Sequence, residues 1–374
     1  MKISNILVTG GAGFIGSHLV DALVEKGHRV RILDSIVEQV HGGKLPGHLN
    51  PRAEFIRGDV CDAEVVKKAL DGIDVVYHEA AEVGVGQSMY EIVRYVRAND
   101  LGTAVLLEEM IKRPGQFEKM VVASSMSIYG EGSYVCGGCE GAFNPFLRSN
   151  EQLEAHDWNF KCENCVGGLE PIGTKEEKPL FPTSVYAVTK QDQEQFCLSI
   201  GRAYKIPTVA FRYFNVYGTR QALSNPYTGV CAIFSSRLLN DQAPVIFEDG
   251  EQSRDFVHVS DIVQANLLAL ETDRVDYQTM NIGTGRATSV REIARLLARG
   301  LGENIEPEIA GKYREGDIRH CIADIGKAKE LLGYAPKISL EDGMAELLDW
   351  VKDQEADDLM SSATAELAAH SLVK

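Results

Sequence analysis

Short runs of consecutive apolar residues punctuate the first half of the chain at Ile6–Thr9, Val30–Asp34, Phe55–Asp59, Val75–His78 and Met120–Ser125. Several are continuously apolar, the pattern of strands buried on both faces. Between them, apolar positions recur with helical spacing, as in His18–Lys26 and Tyr90–Ile111. Strand and helix alternating in this order predict an α/β fold with a doubly wound parallel sheet. Two further strands are expected at Thr208–Tyr213 and Thr279–Ile282. From about Phe214 the pattern is broken by Pro and Gly, and Val290–Leu301 is its best helix. We therefore expect a nucleotide-binding domain over 1–213. A smaller α/β lobe should follow over 214–352, with segments returning to the first sheet. After Trp350 the chain turns acidic and rich in Ala and Ser. The stretch 353–374 is expected to be a helical or frayed tail with no chemistry. No internal repeat is visible.

Composition narrows the function more than the fold. With 374 residues there is ample length to bury a core, and 25% charged and 44% hydrophobic residues are ordinary for a globular chain. The net charge of -16 argues against a nucleic-acid binder, which needs a basic face. It still permits a local basic pocket for one anionic ligand. No apolar run is long enough to cross a membrane. Met1-Lys2-Ile3-Ser4-Asn5 before Ile6-Leu7-Val8 could pass for a short signal peptide, but it leads directly into a glycine loop and reads as the first strand. A cytoplasmic location with mostly reduced cysteines is expected.

The glycine loop is Thr9-Gly10-Gly11-Ala12-Gly13-Phe14-Ile15-Gly16, between a predicted strand and a predicted helix. Its glycines permit a tight turn and let the backbone approach a pyrophosphate at the helix N-terminus, as in a Rossmann fold. Such a pattern alone is weak. Asp34, 18 residues after Gly16, ends the next strand, where a carboxylate can accept from ribose hydroxyls. Ser35 and Ile36 follow it, with no cation for an extra phosphate, so NAD is favoured over NADP. Ser17 stands where a P-loop would need lysine.

Ser184-Val185-Tyr186-Ala187-Val188-Thr189-Lys190 places Tyr186 and Lys190 four residues apart, on one helix face. An ammonium near a phenol stabilises the phenolate and is expected to lower the Tyr186 pKa, making it a usable general base and acid. A Y-x-x-x-K pair is common by chance. Together with the upstream glycine loop it becomes a catalytic candidate.

These residues resemble the extended short-chain dehydrogenase/reductase family, and within it the nucleotide-sugar 4-epimerases. The resemblance runs from Asn5 to about Trp350. It includes Gly58-Asp59-Val60, His78-Glu79-Ala80-Ala81, Asn99, Ser124-Ser125, Arg212–Gly218, Arg254–Val259, Asn281–Gly285 and Arg314–Asp317. It implies cofactor contacts at Gly10, Gly13, Phe14, Ile15, Gly16, Asp34, Asp59, Val60, Ala80, Ala81, Asn99, Tyr186 and Lys190. It implies catalysis by Tyr186, Lys190 and Ser125. Substrate contacts are implied at Ser125, and at Asn215, Arg254 and Arg314 around the diphosphate. Blander readings stand beside some of these. His78 reads better as a packing residue than as a base, Asn99 could equally be structural, and Arg254 and Arg314 could be surface ion-pair partners.

The implied reaction is oxidation and re-reduction at one sugar carbon, with NAD as cofactor and a nucleotide-diphosphate sugar as substrate. Related 4,6-dehydratases carry an Asp-Glu pair after the catalytic hydroxyl residue. Met126 and Ser127 stand there in this chain, and neither can act as a carboxylic acid. NAD-sensing non-enzymes typically lose the tyrosine or lysine, and both are present. A nucleotide-sugar reductase would more often use NADPH, which Asp34 argues against. The stretch Ala81–Tyr90 is most similar to the dTDP-L-rhamnose 4-epimerase branch, with UDP-sugar 4-epimerases close behind. The resemblance also leads us to expect a homodimer.

One segment departs from that pattern. Cys136-Gly-Gly-Cys139 and Cys162-Glu-Asn-Cys165 form two C-x-x-C pairs with 22 residues between them. This is zinc-ribbon spacing, suited to a closed tetrahedral Zn2+ with four thiolates. Reduced cysteines or two disulfides are the alternative. The insertion, about 134–168, separates Ser125 from Tyr186 and should lie near the site mouth with a structural, not catalytic, role. Cys61, Cys197, Cys231 and Cys321 show no such pairing.

Overall fold

The computed structural model describes residues 3–302 and 305–374; Met1 and Lys2, the expected lead-in to the first strand, lie outside them. Seven strands form the central sheet: β1 (Asn5–Thr9), β2 (Arg29–Asp34), β3 (Glu54–Arg57), β4 (Val75–His78), β5 (Lys119–Ser125), β6 (Thr208–Tyr213) and β7 (Thr279–Ile282). Their order is β7-β6-β5-β4-β1-β2-β3, and every neighbouring pair is parallel. The continuous apolar runs follow from this. Along β1, Ile6 and Val8 join one core with Tyr77, Val121 and Ala123. Leu7 points the other way and packs with Val76, Met120 and Val122. Both faces are therefore covered, as a parallel sheet requires.

Strand order turns around at β1, which has β2 on one side and β4 on the other. Such a switch point opens a crevice beyond the carboxyl ends of the strands. The third strand ends at Arg57, short of the expected Asp59. Gly58 and Asp59 thereby leave the sheet at the crevice edge.

The helical pattern expected over Tyr90–Ile111 is interrupted. A short helix, Ile92–Tyr95, runs into a wider π-turn over Val96–Leu101, and a regular helix resumes over Gly102–Ile111. Helices Val230–Leu239, Val290–Gly300 and Leu340–Val351 enclose a separate core around Phe234, Leu238, Ile293, Leu297 and Leu347.

The cysteine-bearing insertion extends a second sheet. Hairpin strands Ser133–Cys136 and Cys139–Phe143 pair antiparallel, and Leu169–Thr174 pairs with the first of them. Leu169–Thr174 also runs parallel to His320–Ala323, which pairs with Ser253–Arg254. The insertion is thus continuous with the sheet that carries Arg254. The chain after Trp350 forms a helix, Met360–Ala369, whose Ala363 and Leu367 are buried. Among the described residues no helix is long and apolar enough to cross a membrane.

Candidate active site

A cleft of about 640 Å³ opens over the switch point and is lined by residues from both sheets. One end is built by the glycine loop. Gly10 has φ +69°, and a Cβ there would lie 2.8 Å from the Ala80 backbone. A Cβ on Gly16 would lie 2.3 Å from the Gly10 carbonyl oxygen. Both positions therefore exclude any side chain. No side chain caps the Phe14–Glu25 helix, so its first amides remain available to an anion. Gly10, Gly13, Phe14, Ile15, Gly16, Asp34, Asp59, Val60, Ala80 and Ala81 all line the cleft.

Asp34 is held in place by two backbone amides: Ala12 donates at 3.0 Å and Ile36 at 2.9 Å. His41, not singled out in the sequence, lies 3.8 Å from the same carboxylate. Burial pushes its pKa below the usual histidine value, despite the pull of Asp34.

Asn99 does not reach the cleft with its side chain. The π-turn buries it completely, and its amide is used by Glu82 N (2.8 Å), Glu82 O (3.1 Å) and Thr189 Oγ1 (2.9 Å). It holds the loop after β4 against the Val185–Tyr204 helix. His78 is likewise enclosed, between Thr9 Oγ1 at 2.8 Å and Thr103 Oγ1 at 2.9 Å. Burial lowers its pKa to about 3, so it is neutral, as the packing reading required.

Ser184 caps the Val185–Tyr204 helix by accepting from Ala187 N at 3.1 Å. That helix carries Tyr186 and Lys190 to the cleft, beside Ser125 at the end of β5. Ser125 Oγ accepts from Ser127 N at 3.1 Å and Ser127 Oγ at 2.9 Å. The Tyr186 phenol is pushed up by burial, with a hydrogen bond to Ser125 acting against this. The expected lowering by Lys190 is not found. Lys190 instead donates to Ala123 O and to Gln193 Oε1 at 2.8 Å. Burial brings its own pKa down to about 8, with Glu79 pulling upward. Glu79 rises to about 7 through burial, against hydrogen bonding from Tyr213 and the charge of Lys190. Nothing in the sequence marks Glu79 for this, because a single carboxylate at a strand end carries no signal.

On the opposite wall, Asn215, Arg254 and Arg314 also line the cleft. Asn215 Oδ1 is buried and has no hydrogen-bond partner. Arg254 is oriented by three carbonyls, those of Ser253, Ile318 and Arg319, at 2.7 to 3.0 Å. Arg314 donates to Asp317 at 2.8 Å and lies over the Phe247 ring at 5.2 Å. Met126 and Ser127 line the cleft too, so no carboxylate stands where a dehydratase would need its acid pair.

The four insertion cysteines come together, their sulfurs all within 4.8 Å of one another and none in a disulfide. Each pair sits on a tight turn: Cys136 and Cys139 face each other across the hairpin, and Val166 N donates to Cys162 O at 2.8 Å.

Residues 6–151 match the NAD dependent epimerase/dehydratase family, and residues 164–347 match GDP-mannose 4,6 dehydratase. The chain is 35% identical to a dTDP-L-rhamnose 4-epimerase from Burkholderia thailandensis, over 93% of this chain and 95% of that one. The chain belongs to the NAD-dependent epimerase/dehydratase family. As a member of that family it is an NAD-dependent enzyme of the epimerase type with a Rossmann-like parallel sheet. Solved structures of the family superpose closely. The UDP-glucose 4-epimerase of Thermotoga maritima, crystallised with UDP-glucose, has a TM-score of 0.75 at 35% identity, covering 93% of this chain and 98% of that one. The UDP-glucuronic acid 4-epimerase of Bacillus cereus, in complex with UDP-glucuronic acid and NAD, has a TM-score of 0.75 at 31% identity, covering 93% and 99%.

Proposed function

We infer that the chain is a nucleotide-sugar 4-epimerase acting on a dTDP-6-deoxyhexose such as dTDP-L-rhamnose, with a UDP-hexose as the second choice. The observation that carries this reading is the meeting of Tyr186, Lys190 and Ser125 at the crevice, with Met126 and Ser127 in place of a carboxylate pair. The Burkholderia relative supports the choice of sugar. Gly10, Gly13 and Gly16 would take the NAD pyrophosphate at the uncapped helix start. Asp34 would accept from the adenosine ribose, and Asp59, Val60, Ala80 and Ala81 would border the rest of the cofactor. Bound NAD would supply the acceptor for the C4 hydride and return it to the other face of the sugar.

Tyr186 would take the proton of the 4-hydroxyl and give it back. Ser125 would share that oxygen. Lys190 would hold the nicotinamide ribose and, once turned from Ala123 O, favour the phenolate. Asn215, with its unpartnered oxygen, and Arg254 and Arg314 would surround the diphosphate.

The cysteine cluster suits one closed structural Zn2+, because four thiolates within tetrahedral reach leave no open position for catalysis. Exposed Val93, Val96 and Leu101 on one helical segment, with Val188 and Phe196 on the Val185–Tyr204 helix, support pairing with a second copy of the chain.

The test is a panel of dTDP- and UDP-sugars incubated with no added reductant and read by anomeric proton NMR. Interconversion of C4 epimers is expected. Loss of water to a 4-keto-6-deoxy product, or no change in any sugar, would reject the epimerase reading.

A further inference from the structure

The chain's last residues lie across the cleft, and nothing in the reaction above uses them. The segment is anchored at its start, where Arg237 pairs with Asp358 at 2.9 Å and Ser236 Oγ donates to Asp357 O at 3.1 Å. Its helix, Met360–Ala369, then spans two walls. Leu367 lies against Gly86, where an added Cβ would come within 3.0 Å of a Leu367 methyl carbon. Tyr227 donates to Glu366 at 2.8 Å and accepts from Tyr90 at 2.6 Å, while Tyr90 stacks on His370 at 4.6 Å. The chain finally pairs antiparallel beside Arg314. Tyr313 and Lys374 exchange both backbone bonds at 3.0 Å, and Glu315 N donates to Leu372 O at 3.0 Å.

The position of this segment along the cleft is fixed by its contacts. Gly86 belongs to the turn whose Ser88 Oγ accepts from Tyr186 N at 3.0 Å. The segment therefore meets the turn beside the reacting groups, and Gln87 of that turn also accepts from Gln39, five residues beyond Asp34, at 3.0 Å. Met360 and Leu367 contribute to the lining there, together with Val83, Val85 and Tyr227. This stretch of wall is predominantly apolar, with Arg314 at the end where the chain pairs beside it.

We propose that residues 360–374 form the outer wall of the sugar chamber and set substrate choice: Leu367, seated on Gly86, admits a compact neutral hexose and excludes one carrying an N-acetyl group. The proposal rests on the nucleotide-sugar reading. A glycine at 86 is what allows Leu367 to sit so close, so the wall is defined by a pair of residues 281 positions apart. Its ties to Tyr90, Tyr227 and the 313–315 segment hold it in place from both sides.

The test compares the full-length parent with Leu367→Ala, each checked for melting temperature and bound NAD. Dissociation constants for UDP-glucose and UDP-N-acetylglucosamine are measured by calorimetry. The parent is expected to bind the glucose compound at least tenfold more tightly. Leu367→Ala is expected to reduce that preference about tenfold. A ratio unchanged within twofold in the folded variant overturns the proposal. Should Leu367→Ala fail to fold, Gly86→Ala, which displaces Leu367 without shortening it, is judged by the same ratio. Epimerisation is scored in parallel. A parent that epimerises neither these sugars nor dTDP-L-rhamnose refutes the epimerase reading, while the binding ratio still decides the wall.

Discussion

Arg148, on the cysteine-bearing insertion, donates to Glu248 of the cleft wall at 2.7 Å, and the two side chains are only 1% and 4% exposed. The same guanidinium donates to Asp317 O at 3.1 Å and to Trp158 O at 3.3 Å. Glu248 also receives Arg319 at 3.0 Å. The insertion thus holds a stretch of wall flanked by Phe247 and Arg254.

Arg148→Met should remove one partner from a buried pair and leave Glu248 with Arg319 alone. A loss of about 2 kcal/mol in urea unfolding is expected, since the buried Glu248 carboxylate loses one of its two charged hydrogen-bond partners. Adding Glu248→Gln should restore part of it. In the variant, KM for the nucleotide sugar should rise more than kcat falls. Stability within about 0.5 kcal/mol of the parent would remove the insertion from this role.

Metal analysis offers a second check. Protein purified without chelator should hold one zinc per chain at Cys136, Cys139, Cys162 and Cys165. Stripping it should loosen the segment from about Tyr134 to Gly168 while the seven-stranded sheet stays folded, because that sheet has its own cores. Hydrogen exchange would resolve the two regions. Less than roughly a tenth of an equivalent of metal, with four freely titrating thiols, would refute the site.

Tyr186→Phe removes one hydroxyl from the group assigned to proton transfer. Turnover should fall by about 10³-fold, within the usual range for a lost acid–base group. Bound NAD should be unchanged. Near-normal turnover would shift the proton-transfer role to another residue.

Glu79 gives a pH signature. Its pKa is raised from 4.5 to about 7 in the folded chain. The neutral carboxyl is favoured by the fold, so its contribution to stability is full below about 4.5 and is lost as pH rises through about 7. Glu79→Gln stays neutral throughout. Its melting temperature, compared with the parent, should therefore gain ground between about pH 5 and pH 8. A constant offset across that range would show that Glu79 does not titrate there.

Local chemistry made much of the site readable. The glycine loop announces itself because Gly16 answers a clash with Gly10 six residues away and Gly10 needs its own positive φ, even though the clash at Gly10 is with distant Ala80. The four cysteines were legible for a similar reason, since each C-x-x-C turn is short and self-contained. The strands β1, β4, β6 and β7 fall where their apolar runs lie, because burial on both faces leaves no other pattern. Contacts between distant segments left no such trace. Neither Arg148 with Glu248 nor Leu367 with Gly86 imposes a periodicity on its own neighbourhood. The Tyr186 pKa went astray for a related reason: spacing put Lys190 on the same face, but Ala123 O and Gln193 claim its ammonium.

The π-turn over Val96–Leu101 has a consequence for protein engineering. A π-turn contains one residue more than the regular helix it interrupts. Deleting a single residue between Val96 and Asp100 would let the helix close into regular turns, at little local expense. The flanks would stay in phase, because the wide turn already absorbs the extra residue, and the change would fall on the π-turn itself. Asn99, or whatever took its place, would swing away from Glu82 and Thr189, releasing the loop that follows β4. A one-codon deletion at this point would leave the helix longer and more regular, and the enzyme disabled.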